Sequence, residues 1–183
     1  GYSSDFMERF LRAQETLASQ LVTLLGGAGR PDDMAAARHF FVAYMALAAA
    51  LDIRNLSDRL PEVLREMGRL RDALQGLEGA IKEKVMAMLF GGSKLDLANK
   101  THVDALLGWA LISLDLRAAR EPFDVVQLLT AAAQLRDGVE AFLGLKPGEL
   151  DLTDSADRLV LLYWALAAVK RPNGVETVRQ ALA

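Results

Sequence analysis

Residues 61–81 read PEVLREMGRLRDALQGLEGAI, and their apolar side chains recur at alternating steps of four and three residues. This heptad spacing is typical of an amphipathic helix that packs against one or two neighbouring helices. Three glycines interrupt the region, so we predict a helix over 61–90 that bends near residues 76–79. The heptad positions are Val63, Met67, Leu70, Leu74, Leu77 and Ile81.

Helical periodicity, with Gly and Pro at the breaks, continues on both sides of this region. Thr101 is the predicted N-cap of one further helix and Pro122 the predicted first turn of the next. Asp137-Gly138 and Asn173-Gly174 are interpreted as helix breaks, because no alternating apolar strands flank them. The helices outside the central region are expected from 4 or 5 to 26, over 31–53, 101–119 and 122–143, from 154 or 155 to 171, and over a short closing segment.

The pattern predicts an all-α protein of six to seven helices, arranged as an antiparallel bundle or as a short stack of α-hairpins. Residues 40–51 are apolar all round the expected helix, which favours a central position in the fold. We expect residues 1–183 to form one domain. Because the chain begins with Gly1 rather than Met and ends in a helical pattern, we expect it to be cut from a longer protein.

Three apolar helices share a short pattern that suggests a weak internal repeat. Residues 44–50, 108–114 and 163–169 each combine an aromatic or Met residue with Ala and Leu. A Leu-Asp-Leu tripeptide, at 95–97 and again at 150–152, precedes the last two at the same distance. A quasi-repetitive helical stack and chance similarity in a Leu- and Ala-rich chain both account for the pattern.

Composition excludes several classes of function. The net charge is −3 and acidic and basic residues are interleaved, so no basic face is expected to bind nucleic acid. The absence of cysteine excludes a disulfide framework and a thiolate metal site. The longest apolar run, 40–51, is shorter than the segment of about 20 residues that crosses a bilayer. No signal peptide is recognisable, so we expect a cytoplasmic location.

No motif for catalysis or for a cofactor is present, and we expect neither a cofactor nor a metal. Both glycine-rich segments, 26–30 and 91–94, are interpreted as helix C-caps rather than phosphate loops, because no strand precedes them. An enzyme would have to use His102 with Asp96 or Asp104, and a structural histidine is the simpler interpretation. We therefore expect a protein without enzymatic activity.

Two hypotheses for function remain open. The first is a protein interaction module, an adaptor or scaffold domain that binds a partner helix or itself through the heptad face of 63–81, which would be exposed in an isolated chain. The second is a binding domain for an apolar small molecule or lipid. Its pocket would be lined by Tyr44, Trp109, Tyr163 and Trp164, although aromatic residues on apolar helices also form ordinary core.

Overall fold

The computed structural model describes residues 56–183 other than 93, 97, 153 and 154, together with isolated positions between residues 8 and 38. Within these residues the chain is all-α and contains no strand, as the sequence predicts. The two helices expected over 5–26 and 31–53 fall almost entirely outside the described residues. The described helices are α1 (Leu56–Gln75), α2 (Gly79–Phe90), α3 (Lys100–Ala118), α4 (Val125–Phe142), α5 (Ser155–Val169) and α6 (Gly174–Leu182).

The predicted helix over 61–90 is divided into α1 and α2 at the expected place. α1 begins earlier than predicted, so Pro61 lies inside it. At the break, Glu78 is extended and Gly79 has a φ of +63°, a conformation that L side chains rarely adopt. α1 and α2 are therefore two separate helices with a break at Gly79, rather than one bent helix.

The N-cap of α3 is Asn99 and not Thr101, so this prediction was wrong. The Oδ1 atom of Asn99 accepts hydrogen bonds from the backbone N–H groups of Thr101 and His102, at 3.0 and 3.4 Å. An Asn side chain is among the strongest N-caps because it reaches the unpaired amides of the first turn. Thr101 instead occupies the second helical position.

A capping box begins α4. The backbone N–H of Gln127 donates to Asp124 Oδ1, and the backbone N–H of Asp124 donates to Gln127 Oε1, both at 2.8 Å. The helix then runs through Asp137 and Gly138, so interpreting this pair as a break was wrong. A Cβ at Gly138 would lie 3.7 Å from Leu182 Cδ1, which shows that α6 passes close to this point of α4.

The chain divides into two compact units, which are described separately. The first comprises Gly1–Arg71 and Leu95–Ala110, and the second comprises Asp72–Lys94 and Leu111–Ala183. In the second unit α4 is the central helix, since it contacts α2, α5 and α6, and α5 also contacts α6. Half of α4 is buried, including the small residues at 131–133 that allow close helix packing. The organisation of residues 1–183 as one domain stays a prediction.

The structure supports the internal repeat between 95–114 and 150–169. α3 begins at Lys100 and α5 at Ser155, so both follow the Leu-Asp-Leu tripeptide at the same distance. The N–H of Asp96 donates to the side chain of His102 at 3.1 Å, and the N–H of Asp151 donates to the side chain of Asp157 at 3.0 Å. In both copies the Asp of the tripeptide therefore donates to a side chain in the first turns of the helix that follows.

The three buried residues of α5 lie at positions that are also buried in α3. Leu106 in α3 and Leu161 in α5 are equivalent, and both are buried. The equivalent residues one and two helical turns further along are also buried in both helices. Shared positions of burial and a shared loop hydrogen bond favour a genuine repeat over chance similarity. The third copy of the pattern, at 44–50, lies outside the described residues. The equivalent buried pairs are Leu106 with Leu161, Ala110 with Ala165, and Ser113 with Ala168.

Candidate docking surface

The heptad face proposed as an exposed interface is mostly buried. Val63, Met67, Leu70 and Leu74 on α1 are no more than 2% exposed, whereas Leu77 and Ile81 are partly exposed. The expectation that this face is exposed in an isolated chain was therefore wrong for its first four residues. An amphipathic heptad pattern indicates only that a helix buries one face, and this chain supplies the core that covers it.

The aromatic residues proposed to line one pocket have different environments. Trp109 is buried and belongs to the first unit, while Tyr163 and Trp164 lie on α5 in the second unit. The rings of Tyr163 and Trp164 meet edge to face with centroids 5.4 Å apart. Tyr44 lies outside the described residues. Tyr163 is 68% exposed, so its ring belongs to the surface of α5 rather than to the core.

A cluster of large apolar side chains lies exposed around α5. Trp164 connects its two parts, because its ring contacts Phe142 at the end of α4, with centroids 5.9 Å apart, as well as Tyr163. The exposed fractions reach 67% for Leu159 and 55% for Phe142. We call this surface the α5 patch, and it consists of Phe142, Leu143, Leu159, Val160 and Tyr163.

The α5 patch exists because α5 has apolar residues on all of its faces. Residues 159–169 read LVLLYWALAAV and contain no polar side chain apart from the Tyr hydroxyl and the indole N–H. One face of α5, with Leu161, Ala165 and Ala168, is buried. The contacts of α5 with α4 and α6 leave the opposite face, with Leu159 and Tyr163, in solvent.

Comparison with α3 shows that the repeat itself does not require an apolar surface here. At the positions of α3 equivalent to Leu159, Val160 and Tyr163 the chain has an acidic residue, an alanine and a glycine. Such small or charged residues are ordinary on a helix surface, whereas three large apolar residues on one exposed face are unusual. The α3 residues are Asp104, Ala105 and Gly108.

Sequence reasoning identified Tyr163, with Trp164 beside it, but missed the other four members of the α5 patch. The sequence does contain a signal for the members on α5. An uninterrupted apolar segment such as 159–169 is either buried on all sides or leaves part of its apolar surface in solvent. The sequence does not reveal which of its faces α4 and α6 cover. Phe142 and Leu143 were interpreted only as the end of a helix.

The histidine considered for catalysis has a structural role. His102 is buried, and its Nδ1 accepts a hydrogen bond from the backbone N–H of Asp96. The Asp96 carboxylate accepts from the N–H of Ala98, and Asp104 pairs with Lys100 at 3.6 Å on the exposed side of α3. These hydrogen bonds and the ion pair shape the turn before α3 and its first turn.

A shallow pocket of about 280 Å³ lies between the end of α3 and the beginning of α4. Its polar lining includes Arg117, Glu121, Asp124 and Gln127. Asp124 and Gln127 are bonded to each other in the capping box, which accounts for their presence there. Throughout the described part of the chain, no three His, Asp or Glu side chains are grouped so that they could hold a metal ion.

No protein-family model matches this chain, and neither the curated proteins nor the solved structures contain a significant match to it. Among the described helices, none combines the length and the hydropathy that crossing a bilayer requires. The fold and the exposed surface therefore define the class, an all-α helical bundle with an apolar patch on one of its helices.

Proposed function

We propose that this protein is a non-enzymatic interaction module, an adaptor or scaffold domain that docks a protein partner on the α5 patch. The observation that carries the proposal is the exposure of five large apolar side chains at the C-terminal end of α4 and on α5. Exposed apolar residues gathered in one place favour association, because burying them removes apolar surface from water.

The aromatic content of the α5 patch supports this role. Tyr and Trp are enriched where protein interfaces carry most of their binding energy, since they bury large areas at a low cost in conformational entropy. Tyr163 projects into solvent while its ring is held against Trp164. A partner that covers Tyr163 would therefore meet a partly ordered aromatic side chain.

The exposure of the α5 patch favours a protein partner over a small apolar ligand. A small-molecule site encloses most of its ligand in a concave cavity. Leu159 and Tyr163 are about two-thirds exposed on one side of a helix and are not enclosed in a cavity. Such an open surface suits a partner helix that packs along it. The ligand-binding hypothesis keeps Trp164 as its candidate, because that ring lies between Phe142 and Tyr163.

Site-specific photo-crosslinking in cells tests the proposal. A benzophenone amino acid at position 163 is expected to give a discrete protein adduct, and the substitution Leu159→Glu should abolish it. The control position is Gln180, which is exposed on α6 of the same unit. Equal or absent adduct formation at the two positions would refute the interaction module. The proposal includes a cytoplasmic location, which a fluorescent-protein fusion would test.

A further inference from the structure

One exposed stripe of α5, continued by Lys170 directly after the helix, has heptad spacing. Ala156, Val160, Tyr163, Ala167 and Lys170 follow one another at steps of four and three residues. All of them are exposed except Ala167, which is partly exposed. Heptad spacing keeps one stripe facing a neighbouring helix along its whole length. From residue 156 to residue 170 the stripe is about 21 Å long, at about 1.5 Å per residue.

The stripe is arranged symmetrically about Tyr163. One heptad separates Tyr163 from Ala156 on one side and from Lys170 on the other. The small side chains of Ala156 and Ala167 leave room for a second helix to approach on both sides of the central ring. A helix crossing at Tyr163 would thus find a small side chain on both sides of the ring, with Val160 on one side and Lys170 at the far end of the other.

Opposite charges lie at the two ends of α5. At its N-terminal end Asp151 and Asp157 outnumber the neighbouring Arg158, and Lys170 and Arg171 directly follow its last residue. If two copies of α5 paired in parallel, the two basic ends would meet and repel each other. In an antiparallel pair, each basic end meets the acidic end of the other copy, and the helix dipoles are also opposed favourably.

We infer that the α5 patch binds a second copy of this chain, with the two α5 helices antiparallel about a two-fold axis that passes near Tyr163. The inference rests on the proposed function and names its partner. A two-fold contact is formed by the same surface on both copies, and about this axis the oppositely charged ends of the two α5 helices face each other. Lys170 of each copy then lies beside Ala156 and Asp157 of the other.

The affinity of such a dimer is expected to be modest. A contact formed mainly by one helix from each copy is smaller than the standard interface of about 1,600 Å², so the dissociation constant should be on the order of micromolar. Sedimentation of the unmodified chain over a range of concentrations should show a monomer and a dimer in reversible exchange. A monomer at every concentration up to the millimolar range would overturn the inference.

Disulfide trapping tests the antiparallel geometry, because the chain has no cysteine of its own. Variants Ala156→Cys and Lys170→Cys should form a disulfide with each other when they are mixed under oxidising conditions. Each variant alone should form little covalent dimer. A parallel pair would instead link two copies of Ala156→Cys, and that result would overturn the proposed geometry.

Charge reversal tests the complementary ends. The double variant Lys170→Glu with Arg171→Glu should weaken the dimer at least tenfold at low salt. Its matched control, Lys84→Glu with Lys94→Glu, makes the same change of charge at exposed positions of the second unit and should leave the dimer unchanged. Equal effects of the two double variants would contradict a specific contact. Circular dichroism confirms that each variant is folded.

The two proposals fail in different ways. If the chain stays monomeric but position 163 crosslinks to another protein, the proposal of an interaction module stands and the inference that the partner is a second copy is refuted. If position 163 crosslinks to nothing, the interaction module itself is refuted. An adduct between two copies of this chain at position 163 would support both.

Discussion

Glu140 in α4 binds the backbone of Leu150 in the loop before α5. Its Oε2 accepts a hydrogen bond from the N–H of Leu150 at 2.9 Å, and both residues are no more than 1% exposed. Arg136, one turn earlier in α4, donates to the carbonyl oxygen of the same residue at 2.7 Å. Two side chains of one helix thus hold both polar groups of Leu150, which positions the loop that leads into α5.

The Glu140 contact predicts a large effect of truncation. Glu140→Ala leaves the buried Leu150 N–H without its acceptor and should destabilise the protein by about 1–3 kcal/mol. Glu140→Gln keeps an oxygen acceptor and should cost less. Urea unfolding measures both variants, and amide exchange at Leu150 gives a local readout. Unchanged exchange at Leu150 in Glu140→Ala would contradict the assigned role.

His102 should be replaceable by a residue that preserves an acceptor. Asp157, its equivalent in the repeat, shows that a short side-chain oxygen can reach the equivalent backbone N–H, that of Asp151. We expect His102→Asn to keep most of the stability, whereas His102→Ala should lose about 1 kcal/mol more. Thermal unfolding of the two variants checks this order. If the Ala variant were the more stable, the hydrogen bond from the Asp96 N–H to residue 102 would not contribute to the free energy of unfolding.

Two glycines of the second unit should respond oppositely to alanine. A Cβ at Gly174 would lie 1.7 Å from the backbone oxygen of Ala168, so Gly174→Ala must displace the start of α6. A Cβ at Gly138 would make an ordinary contact with Leu182. Gly138→Ala should therefore stabilise α4 by about 0.5–1 kcal/mol through helix propensity, and Gly174→Ala should lower Tm. Equal Tm values would contradict the close approach.

Two leucines of α5 separate surface from core. Leu161→Ala removes a side chain that is 1% exposed and should cost about 2–5 kcal/mol. Leu159→Ala changes a residue that is 67% exposed and should alter the free energy of unfolding by no more than about 0.5 kcal/mol. Leu159→Ala should weaken association, measured by sedimentation, while remaining fully folded. A large loss of stability in Leu159→Ala would show that it belongs to the core.

Helix positions were largely predictable because they depend on local signals. Gly79 with its positive φ separates α1 from α2 where the glycines indicate, and the predicted ends near 119 and 143 each lie next to the last residue of α3 and of α4. One error concerns the choice between neighbouring polar residues, and another is the break expected at Asp137-Gly138, which α4 runs through. Asn99 rather than Thr101 caps α3, since both can serve as caps and only the loop geometry selects one.

The candidate site was less predictable because a heptad pattern does not say what covers it. Val63 and Met67 are buried within this chain, although the same spacing suits an exposed interface. Leu159 and Val160 are exposed, although they lie in a segment as apolar as a core helix. Both errors arise because hydropathy measures the tendency of a side chain to leave water and not the presence of a neighbour.

The helical character of the described residues follows from the sequence alone, because Leu, Ala and the helical period of the apolar positions act within a few residues of one another. The same holds for the repeat spacing that places an acceptor side chain after Asp96 and after Asp151. Tertiary packing, by contrast, turns Leu161 toward the core and leaves Tyr163 in solvent. That choice depends on which face of α5 the helices α4 and α6 cover, and those contacts join residues far apart in the chain.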